Sequence, residues 1–232
     1  MPGAPAGTLG LLHTSPAHVP VFDALRDADH PGLGLRHLVR EDLLARARAE
    51  GPKAVAPAVA AALAQAADEG ASAVLCTCST IGAVAEACAA GLGVPVLRVD
   101  RPMAATAAAA DRIVVVATVH STLEPTLALI REEAAGRGVE LRTLLVEGVW
   151  ELFAAGDRDG YLDAVAAAVD GVREADVIVL AQGSMAEAAA RTTTALPVLS
   201  SPRSGLRAAA GVITSASRRV DPAGVGTRNG RQ

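Results

Sequence analysis

The stretch ASAVLCTCSTIGAVAE, residues 71–86, holds two of the three cysteines in the chain, Cys76 and Cys78, where an apolar run passes into an alanine-rich one. If a strand ends and a helix begins there, the unpaired N–H groups and positive dipole end of the helix stabilise a thiolate. Such a thiolate can serve as a nucleophile or as a base. Alternation along the strand puts Cys76 and Cys78 on one face, and only the one nearer the strand end reaches beyond it. Cys78 is therefore the expected reactive thiol and Cys76 a packing residue. Cys88, within the alanine-rich segment, reads as a small buried hydrophobe, and burial in a core is the ordinary fate of any free cysteine.

Short β-branched runs that could position this turn recur along the chain: TLGLLHTS, AVLCTC, VPVLRV, RIVVVAT, LRTLLV, DVIVLAQ and LPVLSS. Between them lie helical segments such as VAPAVAAALAQAADEG, TLEPTLALIREEAAGRG and DGYLDAVAAAVDGVREA. Nearly continuous apolar strands alternating with helices indicate parallel sheets covered on both faces. The order also repeats. AVLCTCSTIGAVAEACAAGLGVPVLRVDRP resembles DVIVLAQGSMAEAAARTTTALPVLSSPR, and LGLLHTSP resembles VVVATVHST. Cys78 and Gln182 are 104 residues apart, as are Thr14 and Thr118, while Pro95 and Pro197 are 102 apart. The expected fold is α/β, with two pseudo-symmetric, duplicated parallel-sheet domains facing a shared cleft. Ligands bind beyond the carboxyl ends of parallel strands, so the turns after LLHTS, VLCTCST, VVVATVHST and VLAQGSM should line that cleft.

The composition narrows the partner. Of 232 residues, 51% are hydrophobic, 20% charged and 2% aromatic, with a formal net charge of −4. That balance gives no basic footprint for nucleic acid or an anionic membrane and little aromatic surface for stacking on bases, so a small molecule is expected. No basic segment followed by a long apolar one opens the sequence, and no later run is long and apolar enough to span a bilayer, which leads to a cytoplasmic expectation. The cysteine spacing suggests neither a disulfide framework nor zinc, and no metal site is expected. Dinucleotide and phosphate-binding glycine motifs and a Gly-x-Ser-x-Gly elbow are absent from the sequence. The starting MPGAPAG and the final SASRRVDPAGVGTRNGRQ read as frayed ends.

VLCTCSTIGAVAE resembles the first cysteine motif of the aspartate/glutamate racemase superfamily, with Cys78, Ser79 and Thr80 falling on it. LGLLHTSP, ATVHSTLEPT and VIVLAQGSMAEAA sit where that superfamily has its substrate-loop and second-cysteine motifs. The resemblance implies two pseudo-symmetric α/β domains and a cofactor-independent enzyme acting at the carbon beside a carboxylate. It also implies a first domain over residues 1–100, completed by a C-terminal helix from about Gly205 and tail within 201–232, with a second domain over 101–200. Racemases of this kind pass a proton between two cysteines, and homodimers are common among them. This chain has Gln182 where the second cysteine would be and Ser184 where a histidine would be. Glutamine cannot trade protons at neutral pH, but its amide can donate to a carboxylate or an enolate oxygen; it can equally cap the next helix.

The site expected from this reading has Cys78, His120 and Gln182 as catalytic groups. His120 is the candidate for a second base, and His13 for a carboxylate or carbonyl partner. Thr14, Ser15, Ser79, Thr80, Thr118, Gly183 and Ser184 would hold a small carboxylate or dicarboxylate, amino acids included. Helix capping is the alternative for the hydroxyl groups, among them Ser121 and Thr122. His18, His30 and His37 have weaker claims, with Arg36 and His37 read as part of a loop near the cleft. The resemblance makes racemisation or isomerisation the expected reaction, with a one-cysteine decarboxylation or elimination, or carboxylate binding without turnover, as the alternatives.

Overall fold

The computed structural model describes residues 7–220. The expected fraying of residues 1–6 and of the segment beyond residue 220 lies outside them. Eight strands form two four-stranded sheets in which every pair is parallel. The first runs β2-β1-β3-β4, from β1 (Thr8–His13), β2 (Gly34–Val39), β3 (Ala73–Cys76) and β4 (Val96–Arg98). The second runs β6-β5-β7-β8, from β5 (Arg112–Ala117), β6 (Glu140–Leu145), β7 (Val177–Leu180) and β8 (Val198–Ser200). Leu9 pairs with Ala73 in the first sheet and Ile113 with Val177 in the second, so the repeat holds at the level of strand register. The chain is thus an α/β protein built from two like halves.

Each central strand is buried on both faces, which its unbroken apolar run requires. On the first sheet Leu12, Val74 and Cys76 pack against helices α2 (Glu41–Glu50), α3 (Ala56–Asp68) and α4 (Ser79–Ala87). Leu9, Leu11 and Leu75 face α1 (His18–Asp29) and α9 (Ser201–Val220) through Phe22, Leu206, Ala209 and Ile213. On the second, Ile113, Val115 and Val179 meet α5 (Arg101–Ala107) and α6 (Leu123–Glu133). Val116, Ile178 and Leu180 meet α7 (Val149–Ala154), α8 (Arg158–Asp170) and the 3-10 segment Gly183–Ala190. The chain leaves the first sheet through β4 into α5 and returns from β8 into α9, which lies on the first sheet.

Three local expectations change. Arg36 and His37 belong to strand β2, not to a loop; β2 is an edge strand of half-buried residues, so it lacks the apolar run that marks the central strands. The segment after Gln182 is 3-10 rather than α-helical. The last helix begins at Ser201, four residues before Gly205, with Pro202 in its first turn where proline is favoured, and it continues through SASRRV to Val220. Gly205 is needed inside it: a Cβ there would lie 2.5 Å from the backbone oxygen of Val99.

Candidate active site

Cys78 and Gln182 occupy equivalent places in the two halves. Each is the extended residue that precedes a helical segment, Cys78 before α4 and Gln182 before Gly183–Ala190, with φ of −113° and −125°. The Ser79 hydroxyl donates to the Ala181 carbonyl at 3.1 Å and ties the two turns together across the halves. Between them runs a narrow cleft with a cavity volume of about 60 Å³, inside an empty space of about 490 Å³ that includes its open mouth. Cys78, Ser79, Thr80, Gln182, Gly183 and Ser184 line it, with Thr14 and Ser15 from the turn after β1.

Gln182 is held in one orientation. Its Oε1 accepts from the Thr118 N–H at 2.7 Å, the Thr118 hydroxyl at 3.1 Å and the Val119 N–H at 3.2 Å. Backbone N–H groups can only donate, so the atom they meet is the amide oxygen, and the –NH2 is left as the free end of this cleft-lining side chain. Thr118 therefore stands behind Gln182 and is not itself part of the lining. Tyr161, fully buried on α8, bonds Ser184 Oγ at 2.9 Å and Thr118 Oγ1 at 3.3 Å, bracing the same corner from beneath.

On the opposite side, the first-turn N–H groups of α4 have no acceptor within their helix and open beside Cys78. The Thr80 hydroxyl in that turn is buried with no hydrogen-bond partner, an arrangement that an incoming oxygen would relieve. Cys76 is fully buried two residues back, its Sγ 3.7 Å from the Cys78 carbonyl. Burial, with the Cys78 thiol next in effect, pushes the Cys76 thiol far up and keeps it protonated.

The histidines fall differently from expectation. His120 is exposed at the start of a short 3-10 turn and does not line the cleft. The strand-end turn that carries it points its side chain to solvent, so the structure does not bring it to the thiol. His13 is fully buried, with Nδ1 2.8 Å from Thr77 Oγ1 and Nε2 2.9 Å from His37 Nδ1, and so sits behind the wall of the cleft. His18 does line the cleft, against Gly183, and its Nδ1 is buried without a partner. Burial, then the nearby Arg158 charge, lowers its proton affinity.

Sequence reasoning missed one wall altogether. Leu44, Trp150 and Phe153 give the cleft an apolar side. Phe153 packs between Trp150 and Tyr161, its ring tilted against both, with centroids 4.9 and 5.1 Å away. Arg48 from α2 lies over the Trp150 ring at 5.7 Å and so bridges the two halves at the mouth. The chain has one Trp, one Tyr and two Phe, and three of these four rings gathered at one cleft were a signal available in composition but not in position. Among the described residues no three His, Cys, Asp or Glu side chains converge as a metal site would need.

The comparisons agree with this architecture. A glutamate racemase from Francisella tularensis, solved with D-glutamate, superposes with a TM-score of 0.69 at 12% identity, over 91% of this chain and 82% of that one. An aspartate racemase homologue from Pyrococcus horikoshii gives 0.65 at 12% identity, over 90% and 99%. An arylmalonate decarboxylase variant in a sulfate-associated form gives 0.61 at 22% identity, over 96% and 97%. No protein of curated function matches the chain. The family model described as Asp/Glu/Hydantoin racemase matches residues 22–209, a span that takes in both cleft turns. With two like halves closing on a thiol turn and that match over most of its length, the chain belongs to the Asp/Glu/hydantoin racemase family.

Proposed function

We propose that this protein is a one-thiol enzyme for carbon-acid chemistry. Cys78 moves a proton to or from the carbon beside the carboxylate of a small acid, using side chains alone and no cofactor. The observation that carries this reading is the pairing of Cys78 with a fixed Gln182 amide at equivalent positions of the two halves. Gln182 Nε2, the Thr80 hydroxyl and the α4 N-terminus would hold the carboxylate and the enolate oxygen formed from it. One such preorganised donor is worth about 3 kcal/mol in the transition state.

Gln182 has no proton to trade, which favours reactions needing one acid on one face. Decarboxylation of a malonate-type diacid with protonation by Cys78 is such a reaction. The apolar wall of Leu44, Trp150 and Phe153 supports a substrate with an apolar arm. Racemisation would need a second base, for which His18 is the cleft-lining candidate. The test is turnover of a panel of small α-amino, malonic and maleic acids. Activity on one class, lost in Cys78→Ala and kept in Cys76→Ala, supports the reading; loss in Cys76→Ala alone moves the reactive thiol one strand repeat back.

A further inference from the structure

We propose that Asp23, His37, His13 and Thr77 form a proton relay from the protein surface to the thiol side of the cleft. The links run unbroken: Asp23 Oδ1 to His37 Nε2 at 3.3 Å, His37 Nδ1 to His13 Nε2 at 2.9 Å, and His13 Nδ1 to Thr77 Oγ1 at 2.8 Å. Asp23 is 41% exposed, His37 18% exposed and His13 fully buried. Thr77 lines the cleft next to Cys78. The Phe22 ring lies 5.5 Å from that of His13 and helps shut water out of the middle of the chain.

Proton positions follow from donors and acceptors. The Thr77 hydroxyl donates to the Leu12 carbonyl at 3.1 Å, so it accepts from His13 Nδ1–H. His13 Nε2 then accepts from His37 Nδ1–H. His37 Nε2 and Asp23 Oδ1 complete a hydrogen bond only when one more proton sits between them, which is a seat for a solvent proton at the outer end. Arg26, 3.6 Å from Asp23, is the other charged group there, and His18, whose ring lies 6.1 Å from that of His13, is the titratable neighbour inside.

The fold does not require this chain. In the second half the positions equivalent to His13, His37 and Thr77 are Ala117, Thr143 and Ala181. The two linked histidines behind the thiol turn thus have no histidine counterparts behind the Gln182 turn, where Thr118 and Tyr161 bond instead to Gln182 and Ser184.

The relay's purpose rests on the one-thiol reading, although its existence does not. A two-thiol enzyme recycles one proton between its thiols, whereas a lone thiol must be refilled from outside. In the decarboxylation, the C–CO2 bond breaks, Cys78 gives its proton to the carbanion, and a thiolate remains. A solvent proton enters at His37 and Asp23, the His37 Nδ1 proton passes to His13 Nε2, and the His13 Nδ1 proton passes to Thr77. The Thr77 hydroxyl turns from the Leu12 carbonyl and releases its proton into the cleft it lines with Cys78, where the thiolate takes it up, and each turnover consumes one proton from water, as loss of CO2 from a carboxylate demands.

The test is hydrogen exchange of the His13 ring N–H, followed by NMR in the full chain with isotope-labelled histidine. The Thr77 backbone N–H, bonded to Leu12 at 3.0 Å in the same place, serves as the clock for local opening. Exchange of the His13 Nδ1 proton about 100-fold faster than that clock is expected, slowing to the clock rate in His37→Phe and by about tenfold in Asp23→Asn. A wild-type ring proton no faster than the clock, or one unaffected by both substitutions, overturns the relay. If His37→Phe does not fold, the wild-type comparison and Asp23→Asn still decide. No substrate is involved, so failure of the thiol reading would appear separately, as absence of turnover in the wild type.

Discussion

Acidification should weaken this protein through His13 well before its carboxylates respond. Burial, then the charges of His18 and His37, lowers the His13 pKa from 6.5 to about 3. The unfolded chain takes up a proton near pH 6.5 that the folded chain refuses until about pH 3. Stability from this group is therefore fully present above the unfolded value and is lost as pH falls toward the folded one. The full difference is about 5 kcal/mol, and roughly 2.3 kcal/mol of it falls between about pH 6.5 and pH 4.5. His18 is lowered in the same direction and adds to the loss. The surface carboxylates with depressed pKa, Asp42, Glu69, Asp170 and Asp176, add their loss from the acid end of this window downward. The assay is urea unfolding across it for the wild type and His13→Leu. His13→Leu should be less stable throughout, because Thr77 and His37 lose a partner, but its loss on acidification should be smaller by about 2 kcal/mol. Equal pH slopes in the two proteins would refute the idea that His13 is held neutral.

Three further perturbations have defined outcomes. Arg98 and Asp100 form a buried two-bond ion pair at 2.7 and 2.9 Å with side chains 3% and 1% exposed. Asp100→Ala strands the guanidinium and should cost about 3–5 kcal/mol in urea unfolding, while Arg98→Met with Asp100→Leu should cost clearly less. Gly205→Ala drives a methyl into the Val99 backbone and should cost about 1–3 kcal/mol, whereas Gly211→Ala, with open space around it, should stabilise the same helix by about 0.5–1 kcal/mol; thermal unfolding reads both. Gln182→Leu removes the fixed amide and should lower kcat by about 10²–10³ on any substrate found, with stability measured alongside.

The thiol turn is legible because Cys78 ends a run of apolar residues, and the shared 104-residue offset makes Gln182 its counterpart in the sequence itself. Register carried that offset into the structure unchanged, since a strand buried on both faces cannot slip without exposing apolar side chains. What escaped the sequence depends on half-buried or distant groups. β2 alternates poorly because an edge strand needs no continuous apolar run, so its sequence resembles a loop around His37. His13 and His120 sit alike at strand ends in the sequence. One turns inward between β2 and β3, the other outward, and no local pattern separates them. The aromatic wall joins α7 to α2 and α8 through tertiary packing alone.

The most direct measurement is turnover in deuterated water, followed by NMR and chiral separation, with a prochiral malonic acid and both enantiomers of an α-substituted acid. A single thiol should place one deuteron on one face of the α-carbon, giving one enantiomer of product, and Cys78→Ala should abolish it. Label entering from both faces, with the enantiomers interconverting, would contradict one-sided chemistry and require a second acid–base group in the cleft.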